Sequence, residues 1–300
     1  MKIKIGSRKS RLAMWQTHRV KEQLEEVHGD LDIEIVTMVT TGDQRADEPL
    51  PSIGAKGLFT AELESALLED EIDLAVHSLK DLPSQLPEGL KYAGSPRRGA
   101  ATDALVSTRW NHLDELPHGA TVATGSQRRR AQLLHRRPDL EMANLRGNIG
   151  TRLNKLDAKG FDAIVMATAA LERLEMKQRI TMELQPPQFV PAIGQGAIGI
   201  ETREGRLDVD ALLAPIFDET TVEAVTAERC FMRLLEGGCS VALGAYCRHI
   251  DDGWTFYGWA SSTDGQQVLF DERKGTDPVA LGDEMARDFI ERGAREILDT

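Results

Sequence analysis

Lys2-Ile-Lys-Ile-Gly-Ser-Arg-Lys-Ser10 opens the chain as a short strand that breaks at a Gly/Ser turn, and a helical run from about Leu12 to Val27 follows it. Ile33-Glu-Ile-Val-Thr-Met-Val39 is strand-like again. A strand, a basic turn, a helix and a second strand make the opening of a βαβ unit. The order then recurs. A helix over about Leu58 to Leu68, with Leu58, Leu63 and Leu67 at helical spacing, precedes a buried-type strand, Ile72 to Val76. That strand runs out in His77-Ser-Leu-Lys-Asp-Leu-Pro83, where Pro83 disfavours helix at Leu82 and predicts a loop. The alternation predicts a mostly parallel, doubly wound sheet.

A second alternating unit begins near Asp103. Ala104 to Ser107, Ala120 to Ala123, Glu141 to Leu145 and Ala163 to Ala167 read as strands, with helices over Gln127 to His135 and Thr151 to Leu156. Pro191-Ala-Ile-Gly-Gln-Gly-Ala-Ile-Gly-Ile200 reads as a crossover back to the first unit. After Pro215 the style changes. A helix from about Thr220 to Leu235 leads to three strand-like runs, Val241 to Tyr246, Trp254 to Ala260 and Gln267 to Phe270, and to a final helix from about Pro278 to Leu298.

With 300 residues and 41% hydrophobic content, the chain can bury a core large enough for two or three domains. Lys+Arg 36 against Asp+Glu 48 gives a net charge of -12, which argues against generic binding to nucleic acid or an anionic membrane. No apolar stretch approaches membrane-spanning length and the start lacks a signal-like segment, so a cytoplasmic location is expected. Cys230, Cys239 and Cys247 form no CxxC pair, which supports neither a disulfide framework nor a metal site.

The chemistry lies in the loops. Helix N-termini carry unpaired N–H groups and partial positive charge, so Ser/Thr/Asn turns followed by arginine suit carboxylates. Gly6 to Ser10, Thr124-Gly-Ser-Gln-Arg-Arg-Arg130 and Leu145-Arg-Gly-Asn-Ile-Gly-Thr-Arg152 have this form, and Gly54-Ala-Lys-Gly57 adds a flexible lysine loop. Their joint occurrence at strand-to-helix turns, where open α/β sheets bind ligands, points to a polyanion. Taken singly, each has a plainer reading. Arg128 to Arg130 with Arg136 and Arg137 read as a solvated basic helix, Asp81 as a turn cap, His77 as a loop histidine, and Cys230 and Cys247 as small buried residues. Cys239 follows two glycines in a predicted loop, which leaves its thiol little cover.

Ala75-Val-His-Ser-Leu-Lys-Asp-Leu-Pro83, Leu145 to Arg152, Pro191-Ala-Ile-Gly-Gln-Gly-Ala197 and Leu235-Glu-Gly-Gly-Cys239 closely resemble the signature segments of the porphobilinogen deaminase (hydroxymethylbilane synthase) family. The resemblance covers essentially the whole chain. It implies an α/β fold of two doubly wound lobes, similar to type II periplasmic binding proteins, over 1–98 with 195–216 and over 99–194, plus a small α+β C-terminal domain with a three-stranded sheet over 217–300. It also implies a cytoplasmic, monomeric transferase of heme and porphyrin biosynthesis that joins four porphobilinogen molecules head to tail, releases ammonia at each step and yields hydroxymethylbilane. No metal or nucleotide is needed. The cofactor is a dipyrromethane held by a thioether to the cysteine matching Cys239, and Asp81 matches the catalytic acid.

By motif match, Arg8, Ser10, Lys80, Thr124, Ser126, Arg128, Arg129, Arg146, Asn148, Arg152, Arg173 and Gln195 are the contacts to cofactor and substrate, and Lys56 and Phe59 belong to a lid or stacking position. Each pyrrole carries an acetate and a propionate, which explains why an acidic chain lines a cleft with arginine. Ser52 stands where lysine is frequent, Gly125 replaces a serine or threonine, Gln127 a leucine and Arg11 a proline. The first two reduce the direct contacts to carboxylates. A two-lobed carboxylate-binding protein without catalysis shares the lobes and loops but has no use for Cys239. A nucleic-acid binder is disfavoured by the net charge and by the few aromatics among the arginines.

Overall fold

A computed structural model of the protein describes residues 2–44, 57–235 and 241–300. In chain order, β1 (Lys2–Arg8), α1 (Arg11–His28), β2 (Asp32–Met38), the single turn α2 (Thr41–Gln44), α3 (Ala61–Leu68), β3 (Leu74–Ser78) and β4 (Leu90–Gly94) come first. Then follow β5 (Asp103–Val106), β6 (Thr121–Ala123), α4 (Gln127–Arg136), β7 (Glu141–Ala143), α5 (Ile149–Lys159), β8 (Ala163–Ala167), α6 (Thr168–Arg173) and β9 (Met182–Leu184). The chain then returns through β10 (Ile198–Arg203) and α7 (Leu207–Leu213). It finishes in α8 (Glu219–Leu234), β11 (Ala242–Ile250), β12 (Gly253–Ser261), β13 (Val268–Gly275), α9 (Pro278–Glu291) and α10 (Ala294–Leu298).

The first sheet has the order β2-β1-β3-β10-β4 and the second β7-β6-β8-β5-β9, each covered by helices. Ile3 and Ile5 of β1, Leu74 and Val76 of β3 and Ile200 of β10 pack beneath Val20 and Leu24 of α1 and Val209 and Leu213 of α7. Leu63 and Leu67 of α3 close the other face over Ile72 and Ala75. Burying each such side chain stabilises by roughly 1.5–3 kcal/mol. In the second sheet, alternate residues of one strand serve two cores: Leu105 faces Leu133 and Val165, while Ala104 and Val106 face Leu153 and Leu156.

In each sheet four strands run the same way, as a mostly parallel sheet requires, and one strand is reversed. β1 pairs in parallel with β2 and β3, and β6 with β7 and β8. β10 runs antiparallel to β3 and β4, and β5 antiparallel to β8 and β9. The cause is connectivity. The two crossovers between lobes leave and enter at the carboxyl ends of the parallel strands, so each crossing strand must run the other way.

β11, β12 and β13 form a three-stranded antiparallel sheet packed on α8 and α9. Phe231, Phe256 and Phe289 centre its core, with ring centroids 5.6 and 5.5 Å apart. Three local expectations differ. Gly293, at φ 85, stops the last helix and starts a short second one, because a left-handed residue cannot continue a right-handed helix. β13 extends to Gly275, past the expected end at Phe270, because exposed charged residues along its solvent side hid the alternation. β3 extends through His77 and Ser78, so His77 is a buried strand residue whose Nε2 lies 3.0 Å from Glu201 Oε2, and the loop reading does not hold. Among the described residues, no helix is long and apolar enough to cross a membrane.

Candidate functional site

The loops singled out from sequence follow the carboxyl ends of β1, β3, β6 and β7, where doubly wound sheets take ligands. Capping fixes three of them. Ser10 Oγ accepts from Ala13 N at 3.2 Å, Ser126 Oγ from Arg129 N at 3.4 Å, and Asn148 Oδ1 from Thr151 N at 2.9 Å. Such caps contribute about 1 kcal/mol each. Thr124 Oγ1 accepts from Ser126 N at 3.2 Å and shapes the turn before α4. A side chain at Gly125 would start 2.6 Å from Leu145 O, so the glycine lets the α4 turn lie directly against the loop that carries Arg146. The departure at Gly125 therefore has a packing reason.

Lys80 and Asp81 sit half-buried on the helical turn Leu79–Asp81 that ends β3. Lys80 Nζ donates to Gln195 Oε1 at 3.2 Å. The same oxygen accepts from Arg129 at 3.3 Å, while Gln195 Nε2 donates to Ala101 O at 2.8 Å and to Asp103 Oδ1 at 3.0 Å. Gln195 thus joins the two lobes at one amide. Gly196 beside it, at φ 85, would place a side chain 2.6 Å from Ala100 O, so the two crossover segments can lie together only with glycine there.

Arg128 and Arg129 are 2% and 5% exposed, so they are not part of a solvated basic face. Arg129 Nε donates to Asp103 Oδ1 at 2.7 Å and its Nη1 to Val165 O at 3.0 Å. Arg128 Nη1 donates to Val190 O at 2.7 Å and lies 2.8 Å from Asp103 Oδ2. Arg136 and Arg137, farther along, pair with Asp114 and Asp139 nearer the surface. Burial alone would raise the Asp103 carboxyl, but the charges of Arg128 and Arg129 outweigh it and hold it at about 2.

Burial and like charge act together on the other cations of the site. Burial first, then the Arg129 charge, pulls Lys80 down to about 8 against the opposing pull of Asp81 and Asp103. Burial, with Arg129 and Arg146 beside it, lowers Arg152 to about 10, and Asp81 opposes this. Arg146 is lowered by burial as well. Arg152 Nε donates to Gly147 O at 2.7 Å. The structure therefore brings Lys80, Asp81, Arg129, Arg146, Arg152 and Gln195 into one electrostatic neighbourhood. A carboxylated ligand fits this state, because each added negative charge restores the ionised form that burial opposes.

Other expected contacts have further partners. The Arg8 guanidinium lies 4.3 Å over the Phe59 ring in the first lobe. Arg173 donates to Gly196 O at 2.6 Å, lies over Trp15 at 5.3 Å and is lowered to about 10 by burial. Arg128 donates to Val190 O, and its charge also acts on Lys80. Cys239, Lys56 and Ser52 lie outside the described residues. Cys230 and Cys247 are buried and unpaired. Among the described residues no cluster of His, Cys, Asp or Glu is arranged to hold a metal ion.

Two acids were missed from sequence. Asp103 is the counterion of the α4 arginines. Glu228 of α8, fully buried, takes Arg98 at 2.6 and 3.1 Å together with the N–H groups of Gly194 and Cys247 at 2.7 and 2.9 Å. That group ties the C-terminal unit to both crossovers. An Asp opening an apolar strand run and a Glu on an apolar helix face were the available signals, since both residues are costly there unless paired.

Residues 3–211 match the family model described as porphobilinogen deaminase, dipyromethane cofactor binding domain, and residues 222–291 match the one described as porphobilinogen deaminase, C-terminal domain. Among solved structures, the chain is similar to a putative methionine-binding lipoprotein of Bacillus subtilis, at 13% identity and TM-score 0.45 over 74% of this chain and 92% of that one. It is also similar to a nutrient binding protein from Burkholderia cenocepacia bound to methionine, at 14% identity and TM-score 0.44 over 74% and 93%. A third is the periplasmic VFT2 domain of Bordetella pertussis BvgS, at 19% identity and TM-score 0.42 over 71% and 85%.

Proposed function

The chain belongs to the porphobilinogen deaminase family, transferases of tetrapyrrole biosynthesis, and on that premise we propose that it joins four porphobilinogen molecules head to tail into hydroxymethylbilane with release of ammonia at each step. One observation carries this reading. Around Asp81, the cations Lys80, Arg129 and Arg152 repel one another in a half-buried setting whose buried acid, Asp103, is already paired with two arginines. Such a site gains from every carboxylate that enters, and a chain of pyrroles with an acetate and a propionate on each ring brings several.

The same residues fit a dipyrromethane. Lys80, Arg129, Arg146 and Arg152 would meet its carboxylates, and Ser10 and Ser126, whose oxygens already accept from backbone N–H groups, keep their hydroxyl hydrogens for an anion. When bound, the dipyrromethane supplies the terminal ring to which each monomer is joined. Attachment through a thioether at Cys239 is part of the proposal. Cys230 and Cys247 are 8% and 1% exposed, so both are poorly accessible, and burial pushes the Cys247 thiol far above the usual thiol range.

Asp81 is the acid–base group of this reading. Its carboxylate accepts the ring N–H of the reacting monomer, opposes the positive charge that develops as ammonia leaves, and takes up and returns the proton. Lys80 and Arg152 are the cations on which its charge acts. Intact mass and peptide mapping test the attachment: an adduct of two pyrrole rings on Cys239 is expected and none on Cys230 or Cys247, with Cys239→Ser folded but without adduct. Porphobilinogen should be consumed with release of ammonia. A fully active protein without adduct overturns the reading.

A further inference from the structure

Trp15, Arg19 and Gln23 follow one another at four-residue spacing along one face of α1. With Arg97 of the first crossover and Glu172 and Arg173 of α6 they line a cavity of about 380 Å³ that spans both lobes. That volume lies at the small end of the range for small-molecule sites, roughly 300–1,000 Å³. Of the residues assigned to the anion cleft, Arg173 alone borders it. The cavity and the Asp81 neighbourhood meet at Gln195–Gly196, since Arg173 donates to Gly196 O while the Gln195 side chain reaches Lys80 and Arg129.

Its lining has a specific chemistry. Arg98, which also borders the cavity, is already held by Glu228, but Arg97 and Arg173 have no carboxylate within ion-pair distance among the described residues. Arg19 meets Glu22 at 3.5 Å in an exposed pair of the weakly held kind. The Trp15 ring, 38% exposed, carries the Arg173 guanidinium over one face and brings a flat apolar surface to the cavity. Gln23 Oε1 is buried with no hydrogen-bond donor among the described residues, a state that a ligand N–H would relieve. Glu172, whose exposed partner Lys177 stands 3.6 Å away, is the acid of the set. Three guanidinium groups, a flat ring, one open acceptor and one carboxylate complement a small aromatic N–H heterocycle that carries two carboxylates and an ammonium.

We propose that this cavity is a docking site for the incoming monomer, a carboxylated aminomethyl-pyrrole, before it reaches Asp81; the inference rests on the function proposed above and adds a second substrate site to it. Arg19 and Arg97 are its exposed rim, and rim charges govern capture and its salt dependence rather than the chemical step.

The test is steady-state kinetics of the intact, cofactor-loaded enzyme on porphobilinogen. Arg19→Ala with Arg97→Ala should lower kcat/KM about tenfold and flatten its dependence on ionic strength, with kcat changed less than about twofold. Arg97→Lys should keep most of the capture, since the charge remains. An independent readout is the Trp15 emission, taken as the difference from Trp15→Phe in an Asp81→Asn background, which porphobilinogen should quench without turnover. Unchanged kcat/KM in the double variant, a kcat that falls in step with kcat/KM, or no Trp15 quenching each overturns the docking site while leaving the polymerising reaction in place. A wild-type protein that does not consume porphobilinogen overturns that reaction and the docking site with it.

Discussion

Asp103→Asn removes the carboxylate that holds Arg128 and Arg129 together beneath the cleft. The wild-type carboxyl sits at about 2 in the fold against 3.8 in an ordinary chain, and that difference corresponds to about 2 kcal/mol of stability at neutral pH. Because the folded value is the lower one, the contribution is complete above pH ~4 and fades as pH falls towards 2. Asparagine loses it at every pH. It also turns an amide toward guanidinium donors and leaves two buried arginines without counter-charge, so the full cost is roughly 3–5 kcal/mol, the range for breaking one side of a buried ion pair. At a few degrees per kcal/mol, melting of the second lobe should fall by roughly 5–15 °C. Scanning calorimetry of both proteins at pH 7 and again near pH 3 checks this. The gap should narrow at the lower pH, where the wild type is itself losing the charge. A fall of less than about 2 °C at pH 7, or a gap that does not change with pH, would refute the counterion account.

Asp81→Asn should lower turnover by at least ~100-fold with the adduct still on Cys239 and little change in Tm, and Asp81→Glu should retain more activity; a stable Asn variant with near wild-type turnover would restore the turn-cap reading, since Asn caps as well as Asp. Arg152→Leu should stall elongation at a partial chain, because a growing polyanion in a fixed site makes different cations limiting at different lengths. Mass spectra should then show enzyme carrying intermediate numbers of rings, and a wild-type distribution would contradict the idea. Lys80 is pulled down to about 8, so its charge is present below that pH and lost above it; affinity for porphobilinogen should drop between pH 7 and 9 in the wild type and not in Lys80→Met. A drop of equal size in Lys80→Met would assign the titration to another group.

The sequence was most legible where the physics is local. The period of β1, the cap at Ser10 and the αβ alternation depend on neighbours within a few residues, and α1, α4, α5 and β8 fall within a residue or a few of where their spacing put them. The arginine turns were legible for the same reason, since a helix N-terminus and its cap are written in consecutive residues. Where the signal failed, the competing term was long-range. His77 reads as a loop residue until β10, more than a hundred residues later, pairs with β3 and supplies Glu201. Arg128 and Arg129 read as solvated until Asp103 of β5 is placed under α4.

Sequence by itself therefore settled the class of the longer periodic segments and the family, and named the arginine turns as candidates for anions. Tertiary structure alone decided the direction of β10 and β5, the burial of particular arginines, and the charge state of Lys80, Arg152 and Asp103. The division has a physical cause. Backbone propensity acts over one turn of chain, whereas desolvation and charge pairing depend on which distant segments exclude water around a group.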